Sequence, residues 1–258
     1  MSLLTIFELA STILQVVFIV AVILPTVNLM IRKKSNIISV MFCLAMVSYL
    51  LSDLYWLAYD CLRPDTRMPF AVNEFSECAM LLLLATAMDK VLSEKKKIPW
   101  EIIFSVLYIG VYIALWILWS GEWMQDIVFG IPYIYFMWLL VRGIVSRNAL
   151  PVKERVWLIL FGILILILHF VSLWTTGMNY ETVYLINTLL IFFVSTWIGI
   201  RSIQKRDLFV SFLFFLWTML AMYSFSDIFY DMSTIANTIS IPIMYMSIRK
   251  ERVSDDIR

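Results

Sequence analysis

The chain has 258 residues, of which 62% are hydrophobic and 15% are charged, and its formal net charge is +1. A soluble globular protein is about half apolar and about a quarter charged, so this composition excludes a water-soluble globule and a disordered chain. A net charge so close to zero gives no positive field that would attract nucleic acid. We therefore interpret the chain as a polytopic integral membrane protein.

A transmembrane helix needs about 20 largely apolar residues. Taken in chain order between clusters of charge, such segments are predicted at 5–31, 36–59, 69–89, 99–120, 123–141, 155–174, 181–200, 208–229 and 232–248. The last two are separated at Asp231, because the apolar stretch that contains them is too long for one span. The first segment is interpreted as a membrane helix and not as a cleaved signal, because it has no basic n-region and Glu8 interrupts it.

These segments predict an all-α transmembrane helix bundle of about nine spans. Residues 1–248 form a single transmembrane domain in this interpretation, and residues 249–258 form a short charged tail. The connectors are too short to hold a soluble domain.

The distribution of basic residues predicts how the bundle is oriented. Eighteen of the 20 Lys and Arg residues follow predicted helices 1, 3, 5, 7 and 9, and the alternate connectors hold only Arg63 and Arg67. Lys and Arg in short loops mark the cytoplasmic side. The N-terminus is therefore expected outside and the C-terminus in the cytoplasm, in a multi-pass protein of the cell membrane surrounded by the lipid bilayer.

Recognisable catalytic and metal-binding patterns do not occur in the sequence. The three cysteines show no CxxC spacing and His169 is the single histidine, which excludes zinc, iron–sulfur and bis-histidine haem sites. No phosphate-loop, dinucleotide-binding, GxSxG or HExxH string is present. We expect no metal and no cofactor, the pattern assigns no catalytic residue, and the question whether the chain is an enzyme stays open.

Polar side chains inside the predicted spans are the most informative feature. An ionisable residue at the centre of a bilayer costs about 2.5–3.5 kcal/mol on insertion scales, so each one needs a reason. All of them fall in the outer half, whereas the inner half is expected to be almost purely apolar. The predicted result is a polar pocket open to the outside, with these ligand-binding candidates: Asp53, Trp56, Asn73, Glu74, Glu77, His169, Asn187, Asp227 and Asn237.

Helical spacing supports the convergence of some of these residues. Asp53 and Trp56 share one face of predicted helix 2 with Tyr49, and Asn73 and Glu77 are four residues apart on predicted helix 3. The strings 49–56 and 223–230 are also similar. A degenerate repeat of helix hairpins and chance explain this similarity equally well.

We interpret the chain as an extracytoplasmic-facing sensor or small-ligand binding module. Its layout alone resembles the multi-helix sensory regions that precede bacterial signalling kinases and cyclases, which implies an extracellular small ligand and a separate cytoplasmic signalling partner. One alternative is a membrane enzyme acting on a lipid-like substrate, with the carboxylates and His169 as acid–base groups. A small-solute transporter is the other, although few helices carry the Gly or Pro breaks that transporters use. The alternative to all three hypotheses is that these polar residues lie at the membrane interface and have no function.

Overall fold

The computed structural model of the protein describes residues 3–32, 35–62, 71–92, 99–222 and 227–255. Within these ranges all regular structure is helical. The helices are α1 (Leu3–Ile31), α2 (Ile37–Leu62), α3 (Ala71–Val91), α4 (Pro99–Ser120), α5 (Trp123–Ser146), α6 (Val152–Trp174), α7 (Met178–Lys205), α8 (Leu208–Met222) and α9 (Asp227–Asp255).

Six of these helices are long and apolar enough to cross a membrane: α1, α2, α4, α5, α6 and α7. The protein is therefore a helical multi-pass membrane protein, as its composition predicts. Helix α8 is apolar but has only 15 residues, and α3 and α9 carry more polar groups. The count of nine spans and the orientation of the two termini stay predictions.

The predicted helix break at Asp231 is wrong. Helix α8 ends at Met222 and α9 begins at Asp227, so Asp231 lies inside α9. Its side chain is only 3% exposed, so it is buried among the helices and does not separate two of them. Residues 227–230 belong to α9 and residues 223–226 lie outside the described ranges, so the likeness of 223–230 to 49–56 stays a prediction.

The helices pack in a closed cycle. Consecutive contacts run from α1 through α2, α3, α5, α4, α6, α7 and α8 to α9, which packs back against α1. Further contacts cross the cycle between α5 and α8 and between α2 and α9.

Helix α8 forms the centre of the main hydrophobic core. It is apolar on all sides, and a helix of this kind is stable only when it is buried all round. The side chains of Phe209, Phe212 and Phe215 are completely buried. The Phe212 ring stacks on Phe136 of α5 with a centroid distance of 6.1 Å. Gly143 allows α5 to approach, because a Cβ there would lie 2.0 Å from the Phe209 ring.

A smaller hydrophobic cluster attaches α6 and α7 to the bundle. Ile165 of α6 and Ile191, Val194 and Ile198 of α7 pack against Phe214 of α8. The opposite faces of both helices expose large apolar side chains, as expected for surfaces that contact lipid.

The ends of the helices that are predicted to be cytoplasmic hold more buried polar groups than expected. Arg142 directly follows the predicted segment 123–141 but lies within α5, where it is 7% exposed, and Glu101 of α4 is also buried. The hydroxyls of Ser211 and Ser247 form a hydrogen bond of 2.6 Å between α8 and α9. The expectation of an almost purely apolar inner half is therefore too strong.

Candidate functional site

A chain of hydrogen bonds joins the middle of α2 to the beginning of α3. The hydroxyl of Ser52 donates to Oδ1 of Asn73. Nδ2 of Asn73 in turn donates to Oε1 of Glu77 at 3.1 Å. Residues four apart are neighbours on a helix surface, so the sequence spacing of Asn73 and Glu77 directly produces this contact.

Asp53, next to Ser52 on α2, is a buried carboxyl group with an unsatisfied oxygen. Its side chain is 6% exposed. Its Oδ2 atom has no hydrogen-bond partner in the part of the chain that the structure describes. The carboxyl groups of Asp53 and Glu77 lie within electrostatic range of each other. A buried polar atom without a partner carries a desolvation cost that a bound donor would offset.

Helix α5 adds side chains at every fourth residue along the face that meets α3. Nε2 of Gln125 donates to both carboxylate oxygens of Glu74 at 2.9 Å. One turn further, Phe129 packs edge-on against Phe75. After another turn, the hydroxyl of Tyr133 donates to Oε2 of Glu77 at 3.4 Å. We call Asp53, Glu74 and Glu77 the acidic cluster.

The acidic cluster lies near one end of the bundle. Glu74 is in the first turn of α3, and Glu77 lies six residues after Ala71, about 9 Å along the helix axis. Both side chains are half-buried. This is the end that the basic residues predict to be extracytoplasmic.

A second group, which we call the Asn237 network, joins α1, α2, α8 and α9. Asn237 is 0% exposed, and its Oδ1 accepts hydrogen bonds from Gln15 Nε2 at 2.9 Å and from the Tyr49 hydroxyl at 2.7 Å. Its Nδ2 donates to Oγ1 of Thr218 at 3.0 Å. Because both ends of the amide are used internally, Asn237 holds helices together. Tyr49 lies one turn before Asp53, so the network adjoins the acidic cluster.

A third group connects α6 to α7. Nδ2 of Asn187 lies 3.2 Å from Nδ1 of His169, and the same ring nitrogen lies 2.9 Å from the carbonyl oxygen of Ile165. The His169 ring also packs near Tyr112 of α4, with a centroid distance of 6.4 Å. The acidic cluster, in contrast, is built on α2 and α3 with donors from α5.

The nine predicted residues thus fall into separate groups. Asp53, Asn73, Glu74 and Glu77 come together, Asn237 belongs to its own network, and His169 pairs with Asn187. Trp56 is half-buried one turn beyond Asp53 on α2. Asp227 is the first residue of α9, and its side chain lies outside what the structure describes.

Five polar residues of these groups were not predicted: Gln15, Ser52, Gln125, Tyr133 and Thr218. Two of them carried a signal that could have identified them. Gln125 recurs with Phe129 and Tyr133 at a spacing of four residues, and Gln15 is an amide within the apolar α1.

The chemistry of the acidic cluster is that of hydrogen bonding and charge. Within the described ranges, no three His, Cys, Asp or Glu side chains converge as metal ligands do.

Comparison of the chain with protein-family models, with curated proteins and with solved structures finds no match.

Proposed function

We propose that the protein is a membrane-embedded sensor module that binds a small polar ligand at the acidic cluster from the extracytoplasmic side. One observation carries this proposal: Oδ2 of Asp53 is buried and lacks a hydrogen-bond donor among the described residues. A ligand that donates to this atom gains a hydrogen bond that the described part of the chain does not make.

The neighbouring donors are directed elsewhere. Asn73 and Tyr133 donate to Glu77, and Gln125 donates to Glu74. These three side chains hold the two glutamates in place and leave Asp53 available. A site whose walls are fixed before the ligand arrives loses less entropy on binding.

The position of the cluster supports access from outside and transmission inward. The two half-buried glutamates lie in the first two turns of α3. A ligand that bridges Asp53 and Glu77 would change how α2 packs against α3. Helix α3 then runs to the predicted cytoplasmic face, where a signalling partner is expected.

The contacts of His169 favour the binding proposal over the enzyme alternative. The enzyme hypothesis uses the carboxylates and His169 as acid–base groups. His169 instead interacts with Asn187 and with the Ile165 carbonyl on α6 and α7. Binding therefore accounts for the cluster better than catalysis does.

The test is the thermal stability of the purified full chain in detergent, measured against amines, carboxylic acids, amino acids and neutral polyols. At least one class should raise the unfolding temperature in a saturable way, and Asp53→Asn should abolish the shift. Asp89→Asn is the matched control, since Asp89 is exposed near the opposite end of α3. A shift that persists in Asp53→Asn and Glu77→Gln, or no shift with any class, overturns the proposal.

A further inference from the structure

We infer that the ligand of the acidic cluster is an organic cation, a small molecule whose ammonium group is bound between Asp53 and Glu77 and whose apolar part contacts aromatic rings. This inference rests on the proposed function and specifies the chemical class of its ligand.

The first argument is charge. Asp53 of α2 and Glu74 of α3 each lie within electrostatic range of Glu77. The donors described above are neutral: the amides of Asn73 and Gln125 and the phenol of Tyr133. Carboxylates that face each other in an interior of low dielectric constant repel each other. A bound cation offsets that repulsion, whereas an anion adds to it.

The second argument is the unsatisfied atom. Oδ2 of Asp53 is a carboxyl oxygen in a side chain that is more than nine-tenths buried and lies within electrostatic range of Glu77. Ser52, the residue before Asp53, is joined to Glu77 through Asn73. A hydrogen bond from an ionised donor to a carboxylate is about twice as strong as a neutral one. An ammonium group therefore satisfies this atom better than a hydroxyl does.

The third argument is the aromatic surroundings, which favour an organic cation over an inorganic one. The Tyr133 ring, whose hydroxyl bonds Glu77, meets Trp116 edge-on with a centroid distance of 5.4 Å. Tyr49 lies one turn before Asp53, and the half-buried Trp56 follows nearly one turn after it. Rings of this kind attract organic cations through their faces and provide apolar contact area.

Three probes that share one ring separate the alternatives: phenethylamine is a cation, phenylalanine adds a carboxylate, and 2-phenylethanol is neutral. We would measure the binding of each to the purified full chain in detergent at constant ionic strength, by tryptophan fluorescence and by the shift in unfolding temperature. We expect saturable binding of phenethylamine, and at least tenfold weaker binding of the other two.

Variants locate the site. Asp53→Asn and Glu77→Gln should each weaken phenethylamine binding at least tenfold, and Asp89→Asn, near the opposite end of α3, should leave it unchanged. Circular dichroism and size-exclusion chromatography establish that each variant is folded, and Glu74→Gln replaces any variant that is not.

Each outcome has one meaning. Phenylalanine or 2-phenylethanol binding as tightly as phenethylamine, with loss in Asp53→Asn, overturns the cation inference and leaves the binding function standing. Phenethylamine binding that is the same in the folded cluster variants also overturns the inference. Absence of binding for all three probes overturns it as well, and the wider compound screen described above then decides the proposed function separately.

Discussion

A single amide, that of Asn237, ties four helices together. It accepts from Gln15 and Tyr49, and it donates to Thr218. A hydrogen bond between transmembrane helices contributes about 0.6 kcal/mol on average and about 1.7 kcal/mol at most. A residue that makes three such bonds therefore contributes measurably to stability. This accounts for a polar side chain that is completely buried in an apolar bundle.

Replacing Asn237 by Leu should destabilise the protein, because Gln15 and Tyr49 lose a shared acceptor and Thr218 loses a donor. We expect a loss of about 1–3 kcal/mol in the free energy of unfolding. The measurement is denaturant-induced unfolding in detergent micelles. Thr196→Val serves as the control, since Thr196 is exposed and its hydroxyl donates to the Phe192 carbonyl of its own helix. Equal stability of the Asn237 variant and the wild type would contradict the role of the network.

Contacts between residues that are close in the sequence were predictable, and contacts between residues on different helices were not. The contact between Asn73 and Glu77 follows from a spacing of four residues on one helix. The bond between Gln125 and Glu74 depends on α3 packing against α5, which no local spacing encodes. The pairing of His169 with Asn187 likewise needed the structure.

At the scale of elements, hydropathy located the helices well where charge coincided with their ends. Helix α4 matches the predicted 99–120, and α8 begins at the predicted residue 208. The errors occurred where a charged residue is buried. Asp231 lies inside α9, and Arg142 lies inside α5, which continues to Ser146. Charge marks a membrane boundary only when the side chain reaches the interface.

The contact between α5 and α8 provides a test of close packing. A Cβ at residue 143 would overlap the fully buried Phe209 ring, so Gly143→Ala should lower stability by about 1–3 kcal/mol. The unfolding temperature in detergent measures the effect.

Gly110→Ala is the matched control, because nothing lies within 4 Å of a Cβ there. In a helix interior, Ala is favoured over Gly by about 0.5–1 kcal/mol, so this variant should be at least as stable as the wild type. Adding Phe209→Leu to Gly143→Ala should restore part of the lost stability. Equal unfolding temperatures of Gly143→Ala and Gly110→Ala would contradict the role of Gly143 in allowing α5 to pack closely against α8.

For the whole molecule, the class of membrane helix bundle was predictable and the arrangement of helices was not. Lipid and protein interior are equally apolar, so hydropathy does not indicate which faces meet. The contacts of α3 with α5 and of α1 with α9 therefore emerge only from the structure. For the same reason, the predicted polar residues could not be sorted into the acidic cluster and the two other groups.

The orientation in the membrane is testable with the natural cysteines. Cys61 is exposed at the end of α2, whereas Cys43 and Cys78 are buried. The distribution of basic residues predicts that Cys61 faces outward. A membrane-impermeant maleimide should therefore label intact cells, and Cys61→Ser should remove the label.

A second cysteine checks the opposite face. Ser254→Cys in the Cys61→Ser background should react only after the cells are permeabilised. Labelling of Ser254→Cys in intact cells, without labelling of Cys61, would reverse the predicted orientation.

The contact between the first and last helices has a consequence for biosynthesis. Gln15 bonds to Asn237 across 222 residues of chain, so its acceptor is synthesised long after Gln15 itself. Until α9 inserts, the Gln15 amide has Tyr49 but not Asn237 as a partner. Long-range contacts of this kind form late and leave intermediates exposed to misassembly. Nascent chains truncated before α9 should therefore remain open bundles that the quality-control proteases of the membrane degrade.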